Sequence, residues 1–122
     1  MKQKGIILTN NPLVRDHCAG RYTVIFLETG YEGILRAARD RIHRGDRLLV
    51  HPLYGSIKPK ETPYRSVLLA GAAGAVCRDS LAMIENALTV CGAFSERDRL
   101  FSKESRGDFA KVDLALFMNA LV

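Results

Sequence analysis

Short contiguous apolar runs alternate along this chain with stretches whose apolar residues recur at helical spacing. Gly5-Ile6-Ile7-Leu8-Thr9 reads as a short buried strand, because its apolar residues are contiguous and β-branched residues are frequent. Asn10-Asn11-Pro12 ends it: Asn tolerates turn geometry and Pro donates no hydrogen bond. Pro12 also suits the first turn of a short helix over residues 13–18, capped by Asn11 and closed by Gly20. Tyr22-Thr23-Val24-Ile25-Phe26-Leu27 is the clearest strand. It is aromatic and β-branched almost throughout and is expected to be buried on both faces.

The period then changes. Thr29 with Glu32 fits a capping box, and Tyr31, Ile34, Leu35, Ala38 and Ile42 form one apolar stripe. Arg36, Arg39, Arg41, His43 and Arg44 fall elsewhere on that cylinder, crowded toward the end where the helix dipole favours cations. Gly45 suits a left-handed stop. Residues 48–51 and 66–71 read as two further strands. Asp79 or Ser80 is the expected cap of the next helix, whose stripe is Leu81, Ile84, Leu88 and Cys91. Gly92 weakens it, although residues 94–100 can continue it. Residues 102–107 read as a polar break, and Asp108 as the cap of a last helix carrying Phe109, Val112, Leu116, Phe117, Ala120 and Leu121.

This order predicts an α/β fold. The whole chain, residues 1–122, is expected to form a single three-layer domain, with a mostly parallel sheet of about four strands flanked by helices. The helix beginning at Thr29 reads as a right-handed crossover between buried strands. The last two strands leave an alternative open. Their connection holds no helix, so they can also pair antiparallel through a long hairpin.

Composition narrows the function classes. At 48% hydrophobic and 25% charged residues, the chain can bury a core and is ordinary for a soluble protein. No apolar run approaches the length of a membrane span, and the patch after the early lysines is too short for a signal-peptide core, so a cytoplasmic location is expected. Cys18, Cys77 and Cys91 contain no CxxC pair, which argues against a disulfide framework, a thiolate metal site or a redox pair. His17-Cys18 is too small a cluster to define a metal site. No cofactor is called for. The net charge of +5 favours anionic partners in general. Nucleic acid is not the expected partner, because no aromatic residue interleaves the basic ones. The Thr29 helix arginines read first as a solvated face, and Arg106-Gly107-Asp108 as a loop glycine before a helix cap.

The chemistry-bearing stretch is HPLYGSIKPKETPYRS, residues 51–66. A connection this long without apolar periodicity is functional more often than filler in a compact domain. In open sheets with parallel strands, ligands collect beyond the carboxyl ends of those strands. The Asn10-Asn11 turn and the 51–65 loop are both expected there. Gly55 and Ser56 offer close backbone approach and a hydroxyl; Lys58 and Arg65 offer cations; Thr62 and Tyr64 add polar tips. Asn10, Asn11, His51, Gly55, Ser56, Lys58, Thr62, Tyr64 and Arg65 are therefore the expected ligand-binding set, for a small anionic ligand. A rigid loop with merely solvated lysines is the plainer alternative. His51 and Ser56 lack the GxSxG frame and an orienting acid that would make them a hydrolytic pair.

Two segments carry a resemblance. Thr9-Asn10-Asn11-Pro12-Leu13-Val14 and His51-Pro52-Leu53-Tyr54-Gly55-Ser56, continuing through Lys58-Pro59, Glu61-Thr62-Pro63-Tyr64 and Ser66, resemble the GrdX family. Phe26-Leu27-Glu28 and the helix after it fit the same likeness. These are small proteins encoded with the glycine, sarcosine and betaine reductases of anaerobic bacteria. The resemblance implies an accessory of that reductase system, with reductase components as partners. It implies no reaction and no catalytic residues. Homodimerisation through an edge strand is a further expectation from sheet physics.

Overall fold

The computed structural model describes residues 5–55, 62–71, 74–93 and 101–121. Its elements run β1 (Ile6–Thr9), α1 (Pro12–Cys18), β2 (Thr23–Phe26), α2 (Tyr31–His43), β3 (Arg47–Leu48), β4 (Ser66–Ala70), α3 (Arg78–Gly92) and α4 (Lys103–Ala120). The strands form one sheet in the order β2-β1-β4-β3.

The sheet is mixed, which corrects the mostly parallel expectation. β1 pairs parallel with β2, but β4 pairs antiparallel with both β1 and β3. The cause is the 51–65 connection. Neighbouring parallel strands need a crossover, usually helical, and this loop is not read as one, so the chain returns antiparallel. It returns into the middle of the sheet, where β4 separates β1 from β3. The helix that joins parallel neighbours is α1, between β1 and β2. α2 instead carries the chain from one edge of the sheet to the other.

Edge position also changes β2. Thr23 is exposed and Val24, Ile25 and Phe26 are half-buried, so this strand is not covered on both faces. β3 is shorter than expected, with Leu49 adding one further bond to the Leu68 carbonyl.

The strand period of two sorts the core. Ile7 and Leu68 enter a cluster with Val14, Cys18, Tyr54 and Phe117. Leu8, Val67 and Leu69 enter another with Tyr31, Ile34, Leu35, Ala38, Ile42, Ile84, Ala87 and Cys91. The predicted stripe of α2 is buried at every position. In α3, Ile84 and Cys91 are buried, with Leu81 and Leu88 half-buried against the same cluster.

Three helix starts differ from expectation. The N-cap of α2 is Gly30, without a side-chain bond, and Glu32 turns to Arg36 instead (2.6 Å). A Cβ on Gly33 would lie 2.0 Å from Thr29 Oγ1, so the threonine side chain occupies the space over that glycine. α3 begins after Cys77, and Ser80, rather than capping, accepts a bond from the Leu48 N–H (2.9 Å). α4 begins after Ser102, whose hydroxyl accepts from the Ser105 N–H (3.1 Å). The expected polar break and the Asp108 cap therefore lie inside one helix, as does Arg106-Gly107-Asp108. Gly45 is left-handed, at φ 110°, as its role as a helix stop requires.

Candidate functional site

The carboxyl end of β1 meets the end of the 51–65 loop through Asn10. Its side-chain amide donates to the carbonyls of Thr29 (2.8 Å) and Pro63 (2.9 Å). Its side-chain oxygen accepts from the Arg65 N–H (2.9 Å). Three segments far apart in sequence are tied by one amide. Asn can do this because its head carries two donors and an acceptor.

Asn11, fully buried, is the second tie. Its oxygen accepts from the Leu13 N–H and so caps α1, as the sequence predicts (3.0 Å). Its amide donates to the Ala110 carbonyl (2.9 Å) and to Asp113 Oδ2 (3.0 Å). The cap of α1 is thereby fastened to α4.

Asp113, 2% exposed, is the centre of this network. It lies on α4 with buried Phe117 one turn further on. Tyr54 donates its phenolic proton to Oδ1. Ser66 lies 3.3 Å from Oδ2, and Thr9 and Ser66, opposite each other in the ladder, join hydroxyls at 2.8 Å. The Arg65 guanidinium stands 3.7 Å from Oδ1. It also donates to the carbonyls of Pro52 (3.1 Å) and Tyr54 (3.3 Å). Arg65 lies 3.6 Å from the Tyr54 ring centre and 5.1 Å from that of Tyr31. Stacking on aromatic faces suits guanidinium, which is weakly hydrated. Its Nε is buried without a bond. Burial pushes the Tyr31 phenol up to about 12, against the opposing pull of Arg65. Burial raises Tyr54 further, and Asp113 adds to that direction.

The expected ligand set thus separates. Asn10, Asn11, Thr62 and Arg65 are buried, and each has hydrogen-bonding groups engaged within the protein. Thr62 accepts from the Tyr64 N–H (3.3 Å). His51 is exposed, and its Nδ1 accepts from the Leu53 N–H (3.0 Å). Gly55 is exposed, at φ 80°, and a Cβ there would meet Leu116 at 2.9 Å. Ser56 and Lys58 lie outside the described residues.

Beside the network lies a cleft of about 280 Å³. Asn10, Phe26, the Glu28–Gly30 turn, Pro63, Tyr64 and Arg106 line it. It stands beyond the carboxyl ends of β1 and β2, the parallel pair, where such clefts are expected. Asn10 and Tyr64 are the two sequence-predicted residues in its wall. Glu28, Thr29 and Arg106 were not anticipated there.

The family model for GrdX-like proteins matches residues 6–122. The chain belongs to this family. The match covers both rim segments, the network and the cleft, so the whole arrangement lies within the family's extent. No match was found among curated proteins or among solved structures.

Sequence reasoning missed Asp113, Tyr54 and the Glu28–Arg106 side of the cleft. Asp113 left a readable trace: it is an acid at the position between Phe109 and Phe117, on the stripe read as apolar. A carboxylate on a buried stripe is almost always paired. Among the described residues no group of His, Cys, Asp and Glu is arranged to hold a metal, and no helix is long and apolar enough to cross a membrane. Arg36, Arg39 and Arg41 of α2 pair with Glu32, Glu85 and Asp46.

Proposed function

We propose that this chain is a non-catalytic accessory of the glycine, sarcosine and betaine reductase system, a partner or regulator of reductase components acting in the cytoplasm as one domain. Its rim receives a small charged ligand beside Asn10. The observation that carries this reading is the closed network around Asp113. Its two oxygens are shared among Tyr54, Arg65, Asn11 and Ser66, and a carboxylate so engaged offers no lone pair to a substrate proton. Such a centre serves to hold a surface in shape. The long loop joining β3 to β4 is anchored by it, as is α4, and together they frame a face suited to recognition.

The second reading is a sensor or small-molecule enzyme for an anionic metabolite at the 51–65 loop. The cleft at the end of the parallel strands favours it. β2 is a half-buried edge, and pairing of two copies there would cover it.

Affinity-tagged chain expressed beside the reductase components tests the first reading. Co-purification with one of them, and altered reductase assembly or activity after deletion, are expected. A chain recovered alone, with reductase assembly and activity unchanged by its deletion, would overturn it.

A further inference from the structure

We infer that the cleft beside Asn10 takes a small zwitterion of the α-amino-acid type. The inference rests on the ligand-receiving rim proposed above and is independent of the reductase association.

The wall carries both signs of charge. Glu28 supplies a carboxylate and Arg106 a guanidinium, from segments that only the fold brings together. A bare anion meets an unfavourable Glu28; a bare cation meets an unfavourable Arg106. A molecule carrying a carboxylate and an ammonium satisfies both walls at once. Its carboxylate pairs with Arg106, where a planar fork matches two oxygens. Its ammonium pairs with Glu28, with the rings of Phe26 and Tyr64 in the same wall able to attract a cation. Asn10 and Gly30 add neutral polar lining. At about 280 Å³ the cleft falls at the small end of ligand sites, which suits a molecule of a few heavy atoms rather than a nucleotide.

The corrected role of Arg65 strengthens the case against a bare anion. That guanidinium is committed to Asp113, Pro52 and Tyr54 inside the protein. Of the described cations in the expected ligand set, it is the one that a free anion would have needed.

Calorimetric titration of the full chain with glycine, alanine, acetate, methylammonium and inorganic phosphate tests the inference. Glycine or alanine is expected to bind at least about tenfold more tightly than the three single-charge probes. Glu28→Gln and Arg106→Gln are each expected to weaken that binding by about tenfold or more, since each removes one pole. Arg106→Lys keeps a cation and is expected to retain most of the binding, which guards against a merely structural effect of the glutamine variant. Tighter binding of acetate or phosphate than of glycine and alanine would overturn the inference. So would absence of zwitterion binding, or binding unchanged in both glutamine variants. Failure of the chain to co-purify with reductase components bears on the accessory reading alone.

Discussion

Tyr54 and Asp113 are joined by a buried hydrogen bond across 59 positions of chain. This bond connects the long loop to the last helix. Around it Arg65 closes the charge and Asn11 closes the turn after β1.

Asp113→Asn keeps the shape of the side chain and removes its charge. Arg65 is then buried at 2% exposure without a counter-charge. Breaking one side of a buried pair costs about 3–5 kcal/mol. Urea unfolding is expected to show a loss in that range. The double variant Asp113→Leu with Arg65→Met removes both charges and is expected to be less destabilised than Asp113→Asn. A double variant less stable than the single one would mean that the ion pair itself, not the stranded charge, dominates.

Tyr54 and Tyr31 make the fold sensitive to alkali. Both phenols are raised in the folded state, by burial first. Their stabilisation is complete below the ordinary tyrosine value of about 10 and is lost as pH rises through the folded values. Each group contributes a decline of roughly 1.4 kcal/mol per pH unit in that window. Tyr54→Phe is expected to lower stability at neutral pH by about 1–3 kcal/mol, through the lost bonds to Asp113 and Ser66. It is also expected to flatten the alkaline decline. Unfolding midpoints between pH 8 and pH 12 in wild type and variant, a span of about two units either side of the ordinary value, check both.

Asn11→Asp keeps the cap acceptor of α1 and places a second carboxylate 3.0 Å from the position Asp113 already holds. Two carboxylates that close cannot both ionise at ordinary cost, so the folded-state value of the pair is raised. The variant's stability is then best below the ordinary carboxyl value of about 3.9 and falls as pH rises through the raised one. Its deficit against wild type is expected to be largest at neutral pH and to shrink in acid. Thermal midpoints at both pH values measure it; a deficit constant with pH would count against the arrangement.

Gly33→Ala reverses the usual ranking in a helix. Alanine ordinarily stabilises a helix interior by about 1 kcal/mol over glycine. Here the new methyl would fall 2.0 Å from Thr29 Oγ1 and 2.9 Å from Thr29 Cβ. Overpacking of this kind costs about 1–3 kcal/mol. The substitution is expected to destabilise, and pairing it with Thr29→Gly to relieve the loss. Because Thr29 also lines the cleft, titration of Gly33→Ala with glycine is expected to show weakened binding.

Much of this architecture follows from local physics and was readable residue by residue. The Asn11 cap with Pro12 behind it, the Tyr31–Ile42 stripe and the Gly45 stop each depend on neighbours within a turn or two, so spacing alone determined them. The meeting of the Asn10 turn with the end of the long loop was likewise expected, from the rule about strand ends. Tertiary structure decided the rest. Strand direction depended on where β4 could insert, which no local pattern records. Asp113 became the hub because the fold carries α4 across Asn11, Tyr54 and Arg65, and a carboxylate declares its partners only when desolvated beside them. Glu28 and Arg106 share one cleft for the same reason: 78 positions separate them in the chain (106 − 28), and packing alone brings them to one wall.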